Sequence, residues 1–460
     1  MQIQILLIGT LLCFFSLSGH AQNIITEIPS SGLVINSPGN YVFGGNIKWN
    51  PSGDGQAILI TANNVILDLN NHSLKSKKTQ FSTTGILATA VSNLIIKNGS
   101  IENMVLQGIK CENSANIFIN NITVNGLSKE DIVTFTVPVG ILISTSSNAF
   151  VSKCTVKNMD VRTASLAGIQ MTATSPSVIS DCCVLDSINQ DGACSGIGHF
   201  ACDNAKVISC TVDNLQSKFN NNLNTQGHTT IGLIPTLSTN ILIENCKISN
   251  IIGSCDDAHG MSLFECLNAV VQDCTVTNVS DGTSKEKTGA KATGIEVYAS
   301  GVKVINCFVK NITAINPQNK QATGFSCAQC TGVNFIECRA ENVNVFDENY
   351  EHNPELGYGT GFGWAPDPRP PFLAPATNVL YWDCTATCCQ VGFDSWYHID
   401  SVWRTINSDC NEIPLLNLPN SQRTISCDPC SECNPPQEVT ITNVAANNIF
   451  LDVRINDNDC

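Results

Sequence analysis

Three features of the sequence predict an all-β chain wound as a right-handed parallel β-helix of about eleven coils, closed by a small Cys-rich C-terminal cap. The first is a Gly followed by an apolar residue at Gly85, Gly108, Gly140, Gly168, Gly196, Gly232, Gly260, Gly294, Gly324, Gly361 and Gly392, spaced 23 to 37 residues apart. The second is a block that follows most of these glycines: ISDCCV, VISCTV, ILIENCKI, VVQDCTV, VKVINCFV and NFIECRA. The third is composition: only 14% of residues are charged and 6% aromatic, while Asn, Ser, Thr, Gly and β-branched residues dominate. That balance favours strands and tight polar turns over helices. A period of this length changes the whole fold assignment, because each repeat is one unit that cannot bury a face alone.

The elements of one coil follow from parity. In ILIENCKISN, Ile241 and Ile243 set one apolar parity, and Cys246 with Ile248 continues it on the other. The strand therefore bends at Asn245. The equivalent bend residues are Asp181, Asp273, Asn306, Asp383 and Asp409, types that tolerate left-handed backbone and bond their own chain. Four residues after the Cys, Asn recurs at Asn158, Asn214, Asn250, Asn278, Asn311 and Asn342. Each coil reads as strand, bend, strand, turn, strand. Stacking coils about 4.8 Å apart pairs every strand with its equivalents in neighbouring coils, and parallel crossovers strongly prefer the right hand.

On these repeats, over roughly Asn23 to Cys410, the chain resembles the pectin-lyase-like superfamily. The opening, from Gly39-Asn40-Tyr41-Val42 to Asn64-Val65-Ile66-Leu67-Asp68-Leu69-Asn70, is similar to the first coils of many exported β-helix proteins. The resemblance implies the fold and leaves function open, because the superfamily includes polysaccharide lyases, glycoside hydrolases, phage tailspikes and adhesins.

Before the coils, residues 1–21 have the pattern of a signal peptide: a short apolar run closed by Gly19-His20-Ala21. Cys13 follows Leu12, where lipoprotein processing needs a small residue, so it leaves with the leader. The division expected is a leader over 1–21, a β-helix over 22–412 and a cap over 413–460. The product is expected to be secreted, extracellular or at the cell surface, with the periplasm also admissible. A net charge of -15 with six Arg argues against nucleic acid and anionic membranes, and no later run is long enough to insert in a bilayer.

The cysteines divide into two groups. Cys154, Cys182, Cys210, Cys246, Cys274, Cys307, Cys338, Cys384 and Cys410 share one place in nine successive coils and are expected to form a buried ladder of mainly free thiols, since buried Cys packs as a small apolar residue. In the tail, Cys427, Cys430, Cys433 and Cys460 are the disulfide candidates of the cap. A zinc site fits that spacing less well, with no His nearby and an oxidising destination. Glu438 to Val444 and Ile449 to Val453 read as a hairpin covering the open end. Cys327-Ala-Gln-Cys330 reads as a turn feature rather than a redox pair. The sequons at Asn71, Asn98, Asn121, Asn278 and Asn311 fit glycosylation in a eukaryotic pathway or turn chemistry alone.

Chemistry is expected on the outer face or the inserts. The candidate catalytic constellation is Asp256, Asp257 and His259, joined by Asp191 and His228 from preceding coils, with His199, Lys287 and Lys291 as binding residues. Paired carboxylates with His suit general acid and base work on a glycosidic bond, and carboxylates with Lys suit β-elimination from a uronide. The Asp-Asp and His-Gly pairs resemble the polygalacturonase type, whose Arg-x-Lys element is missing here, and Asp256 and Asp257 also read as plain turn residues. No cofactor is demanded, and calcium is admissible; the acidic insert Asp347 to His352 has the residues to bind a cation but reads more readily as a solvated loop. Tyr358, Trp364, Trp382, Trp396, Tyr397 and Trp403 gather near the end, as sugar platforms or as core. The function expected is a noncatalytic glycan-binding or adhesin-type shaft with an extracellular polysaccharide as partner. The alternative is a lyase or glycoside hydrolase acting on such a polysaccharide, uronic-acid polymers included.

Overall fold

The computed structural model describes residues 22–77, 80–129, 137–163, 165–218, 229–253, 257–281, 291–315, 321–346, 359–363, 376–394, 398–399, 401–409, 411, 413–416, 437–439 and 449–456. The leader, Cys410 and the four cap cysteines lie outside them. The described strands stack in two large sheets, one of fourteen strands and one of twenty-six. With one antiparallel exception, every named strand pair runs parallel, each strand with its counterpart in the next coil. A representative coil runs through Ser165–Thr172, Ser177–Ser180 and Cys183–Asn189. The first belongs to the fourteen-stranded sheet and the other two to the larger one, which wraps around the Cys bend.

The eleven repeated glycines occupy consecutive rungs of the fourteen-stranded sheet. They are required for space and not for torsion. A Cβ on Gly140 would sit 2.4 Å from Val156 Cγ1 and 2.7 Å from the Gly168 carbonyl oxygen. The sheet is therefore pinched against the post-Cys strand of its own coil, and a column of glycines lets the two walls touch.

The bend before the ladder Cys is left-handed at Asp181, Asn245, Asp273, Asn306 and Asp383, with φ between 48 and 54°. Asn158, Asn214, Asn250, Asn278, Asn311 and Asn342 are left-handed too. Their side chains run on from coil to coil: Asn311 Nδ2 donates to Asn278 Oδ1 at 3.0 Å, and Asn278 Nδ2 to Asn250 Oδ1 at 3.0 Å. The sequon residues Asn98 and Asn121 are tied the same way, so turn chemistry alone accounts for Asn at these positions.

Cys154, Cys182, Cys210, Cys246, Cys274, Cys307, Cys338 and Cys384 are buried free thiols. Each also works as a polar group. Cys182 Sγ, for example, donates to the Ser180 carbonyl at 3.1 Å and accepts the Cys154 amide at 3.5 Å, which satisfies backbone groups that the bend removes from the ladder. At the bend after the glycine strand, Ser114, Ser146, Thr174, Cys202, Ser238 and Cys266 do the same, each donating to the carbonyl two residues earlier. The ninth ladder position needs correction. Cys384 pairs in register with Ile406, and Asp409 with Thr387, so Ile406 continues the column and Cys410 does not. Trp403 faces inward in that coil and sets the parity.

Cys327 and Cys330 are joined by a disulfide, which closes the turn expected there. Gln437–Val439 pairs antiparallel with Ile449–Asn456, and the latter stacks parallel on Val402–Asp409. A hairpin thus adds a final rung to the larger sheet. Near that end the core becomes aromatic: Phe325, Phe362 and Phe393 stack at 4.8 and 5.0 Å, and Tyr381 stacks on Trp403 at 3.9 Å. Trp403 is core, whereas Trp382 is exposed beneath the Arg404 guanidinium.

The ladder carries a testable consequence. Burial pushes the Cys338 thiol well up, whereas the hydrogen bonds from Cys182 and Cys210 pull Cys154 and Cys246 down. What protects the whole ladder is therefore burial of every thiol away from reagent, access being required as well as the thiolate. Native protein treated with iodoacetamide is expected to be alkylated at exposed Cys388 and spared at the eight ladder cysteines until denaturant is added. Peptide mapping that finds native ladder thiols alkylated contradicts the register described.

Candidate functional site

Strand Ala258–Leu267 on the Gly260 rung and strand Lys291–Ser300 on the Gly294 rung lie side by side in the fourteen-stranded sheet. Alternation decides which side chains point outward. Met261 and Leu263 face the core, as do Ile295 and Val297, so Ser262 and Glu296 face out. They are register partners, as are Phe264 and Tyr298. His259 precedes the glycine and also turns outward, beside Thr293.

The outcome is a compact group of ionisable side chains. His259 Nε2 lies 3.9 Å from Asp257 Oδ2, and His259 Nδ1 lies 3.3 Å from Glu296 Oε2, the latter without hydrogen-bond alignment. Asp257 Oδ1 accepts the Lys291 backbone amide at 2.9 Å, and Glu296 Oε2 accepts the Ser262 hydroxyl at 3.0 Å. All of this is shielded: His259 is 4% exposed, Glu296 6% and Lys291 7%. Burial alone raises the Asp257 carboxyl, but the bond to His259 and the charges of His259 and Lys291 outweigh it and hold Asp257 below the ordinary range. Burial likewise lowers His259, yet Glu296 and Asp257 overcome it and raise the imidazole. Tyr298 is pushed up to about 12 by burial, then by Glu296. A half-buried carboxylate held low beside a buried imidazole held high is the pattern of an ion pair, which structural networks and functional sites share.

The residues expected from sequence divide. Asp257, His259 and Lys291 come together. Asp256, His228 and Lys287 lie outside the described residues, as does the acidic insert Asp347 to His352. His199 does not join them: it sits three residues after Gly196, in register with core-facing Met171, and burial lowers its imidazole to about 4. Asp191 occupies a corner between Cys183–Asn189 and Ala193–Phe200, and its buried carboxylate oxygens have no hydrogen-bond partner among the described residues, His259 and Asp257 included. Among the described residues the cluster is thus built by two adjacent rungs. Glu296, Ser262, Tyr298 and Phe264 escape sequence reading, although counting from Gly260 and Gly294 places each pair in register. Among the described residues no group of His, Cys, Asp and Glu is arranged to hold a metal ion.

Residues 21–187 match the family described as the right handed beta helix region. That segment is a right-handed β-helix. No curated protein matches the sequence. Among solved structures, the chain is similar to the catalytic domain of a GH87 alpha-1,3-glucanase in complex with nigerose, at 11% identity and TM-score 0.44, over 80% of this chain and 59% of that one. It is also similar to PfbA, a surface adhesin of Streptococcus pneumoniae, at 10% identity and TM-score 0.42, over 79% of this chain and 84% of that one. A third is tailspike protein 3 of bacteriophage CBA120, at 8% identity and TM-score 0.40, over 91% of this chain and 56% of that one. The chain thus spans under two thirds of the glucanase domain and of the tailspike. These are likenesses of chain course, and they decide nothing about chemistry.

Proposed function

We propose that the protein is an exported glycan-binding shaft whose ligand sits on the outer face of the fourteen-stranded sheet at the Gly260 and Gly294 rungs. One observation carries the reading: a shielded Asp257–His259–Glu296–Lys291 group stands directly beside Phe264, which is 43% exposed and lies 5.9 Å from Tyr298 between ring centroids. Aromatic rings stack on the apolar faces of sugars, and fixed carboxylates and cations orient the hydroxyls. Burying this many charges without a ligand is costly in stability. Among the described residues no helix is long and apolar enough to cross a membrane.

A second reading, cleavage of the bound chain, is favoured by the opposed titration of Asp257 and His259, which leaves a carboxylate base and an imidazolium acid 3.9 Å apart. A panel of extracellular polysaccharides separates the two. Glycan arrays and calorimetry are expected to show binding that Phe264→Ala weakens about tenfold. Reducing-sugar release, or absorbance from unsaturated uronides, that disappears in His259→Ala would establish the second reading. Wild-type affinity in Phe264→Ala would remove the site from this face.

A further inference from the structure

The column that holds Phe264 and Tyr298 continues toward the N-terminal coils. Thr172 is in register with Phe200, Phe200 with Thr236, and Thr236 with Phe264. Phe200 and Phe264 are thus two rungs apart on one outward line, about 10 Å at the usual strand spacing. Phe200 lies down on the sheet: a Cβ built on Gly198 would fall 2.7 Å from Phe200 Cε2. Gly198 stands where the other rungs carry a side chain, Gln170 before it and Ile234 after it. The missing side chain makes room for the ring to rest against the backbone and to turn a face outward.

The second observation is charge. Over the rungs of Gly140, Gly168, Gly196 and Gly232, the outward residues two and four places after the glycine include Leu142, Gln170, Thr172, Phe200, Ile234 and Thr236, and none is ionisable. Ionisable groups resume only at the Asp257–His259–Glu296–Lys291 group, whose charges face one another. The chain as a whole carries -15. Among the described residues, a polyanion laid on this strip would meet no cation at these positions over four rungs, and a repulsive field around it.

We infer that the ligand is an uncharged glycan lying along the shaft axis, running from the ionisable group over Phe264 and on to Phe200. The inference rests on the reading that this face binds glycan, and deepens it by naming ligand class and direction. Phe264 and Tyr298 hold the sugars nearest the ionisable group. Phe200 holds a sugar further along the chain, so its contribution depends on ligand length. Gln170, whose Nε2 donates to Thr172 Oγ1 at 3.2 Å, offers an amide to sugar hydroxyls beyond Phe200.

The test is calorimetric titration with gluco-, manno- and cello-oligosaccharides as disaccharides and octasaccharides, alongside oligogalacturonates of the same lengths. Thermal unfolding of each variant verifies the fold. Neutral octasaccharides are expected to bind and oligogalacturonates not to. Phe200→Ala should weaken octasaccharide binding about tenfold and leave disaccharide binding unchanged, whereas Phe264→Ala weakens both. Preference for oligogalacturonate, or an octasaccharide affinity untouched by Phe200→Ala, overturns the inference while Phe264→Ala still registers the site. If Phe264→Ala changes nothing either, the binding face itself is wrong.

Discussion

Gly168→Ala is expected to destabilise the shaft by about 3 kcal/mol, the upper part of the range for overpacking a closely fitted core. The added Cβ would stand 2.5 Å from Val184 Cγ1, 2.7 Å from Val184 Cγ2 and 2.6 Å from the Gly196 carbonyl oxygen. One of these contacts is backbone of the next rung, so relief requires the stack itself to part. In a solenoid each coil touches only its neighbours, and a spread rung weakens the pairing on both sides of it. Hydrogen exchange should accordingly quicken in Ser165–Thr172 and in its partners Val139–Ser144 and Ala193–Phe200, while the first coils keep wild-type protection. Adding Val184→Ala removes two of the three contacts and should recover part of the loss despite its own cavity. Equal protection in Gly168→Ala and wild type would show that the glycine column is incidental.

How far the fold is legible in the sequence follows from what repeats. A glycine column, a left-handed residue before each Cys and an Asn four places later are local demands of sterics and backbone bonding, and they recur wherever the coil does. The ladder's end is not legible from the Asp-Cys pair at Asp409 and Cys410, because the pair looks the same in either register. Only the inward turn of Trp403 distinguishes them, and it puts Ile406 in the column. The candidate site is half legible for a similar reason. Asp257 and His259 are two residues apart in sequence and invite notice. Glu296 is far along the chain, and only the pairing of Ser262 with Glu296 brings it to His259. His199 shows the converse: it lies three places after its glycine where Glu296 lies two after Gly294, and at that place side chains face the core.

His259→Ala is expected to cost about 3 kcal/mol near neutral pH, the loss typical when one partner of a buried charge pair is removed. Asp257 and Glu296 would remain on a shielded surface without the cation that faces both. The signature is in the pH dependence. His259 has its imidazole raised in the folded state by Glu296 and Asp257 against the opposing effect of burial. Its contribution to stability is therefore fully present below the unfolded imidazole value of about 6.5, and is lost as pH rises through the higher folded-state value. Asp257 is lowered, so its contribution is present above the unfolded carboxylate value of about 3.9 and is lost as pH falls through the folded-state value. Between these limits the wild-type pair is at full strength. The gap between wild type and His259→Ala, measured as exchange protection in Ala258–Leu267, should thus be wide at about pH 6 and narrow in more alkaline buffer as wild type loses its imidazolium. The cavity left by the ring adds a part that does not vary with pH, which His259→Gln reduces by refilling the space without restoring the charge. A gap of constant size across that range would mean that His259 is neutral in the folded protein and serves only to fill space.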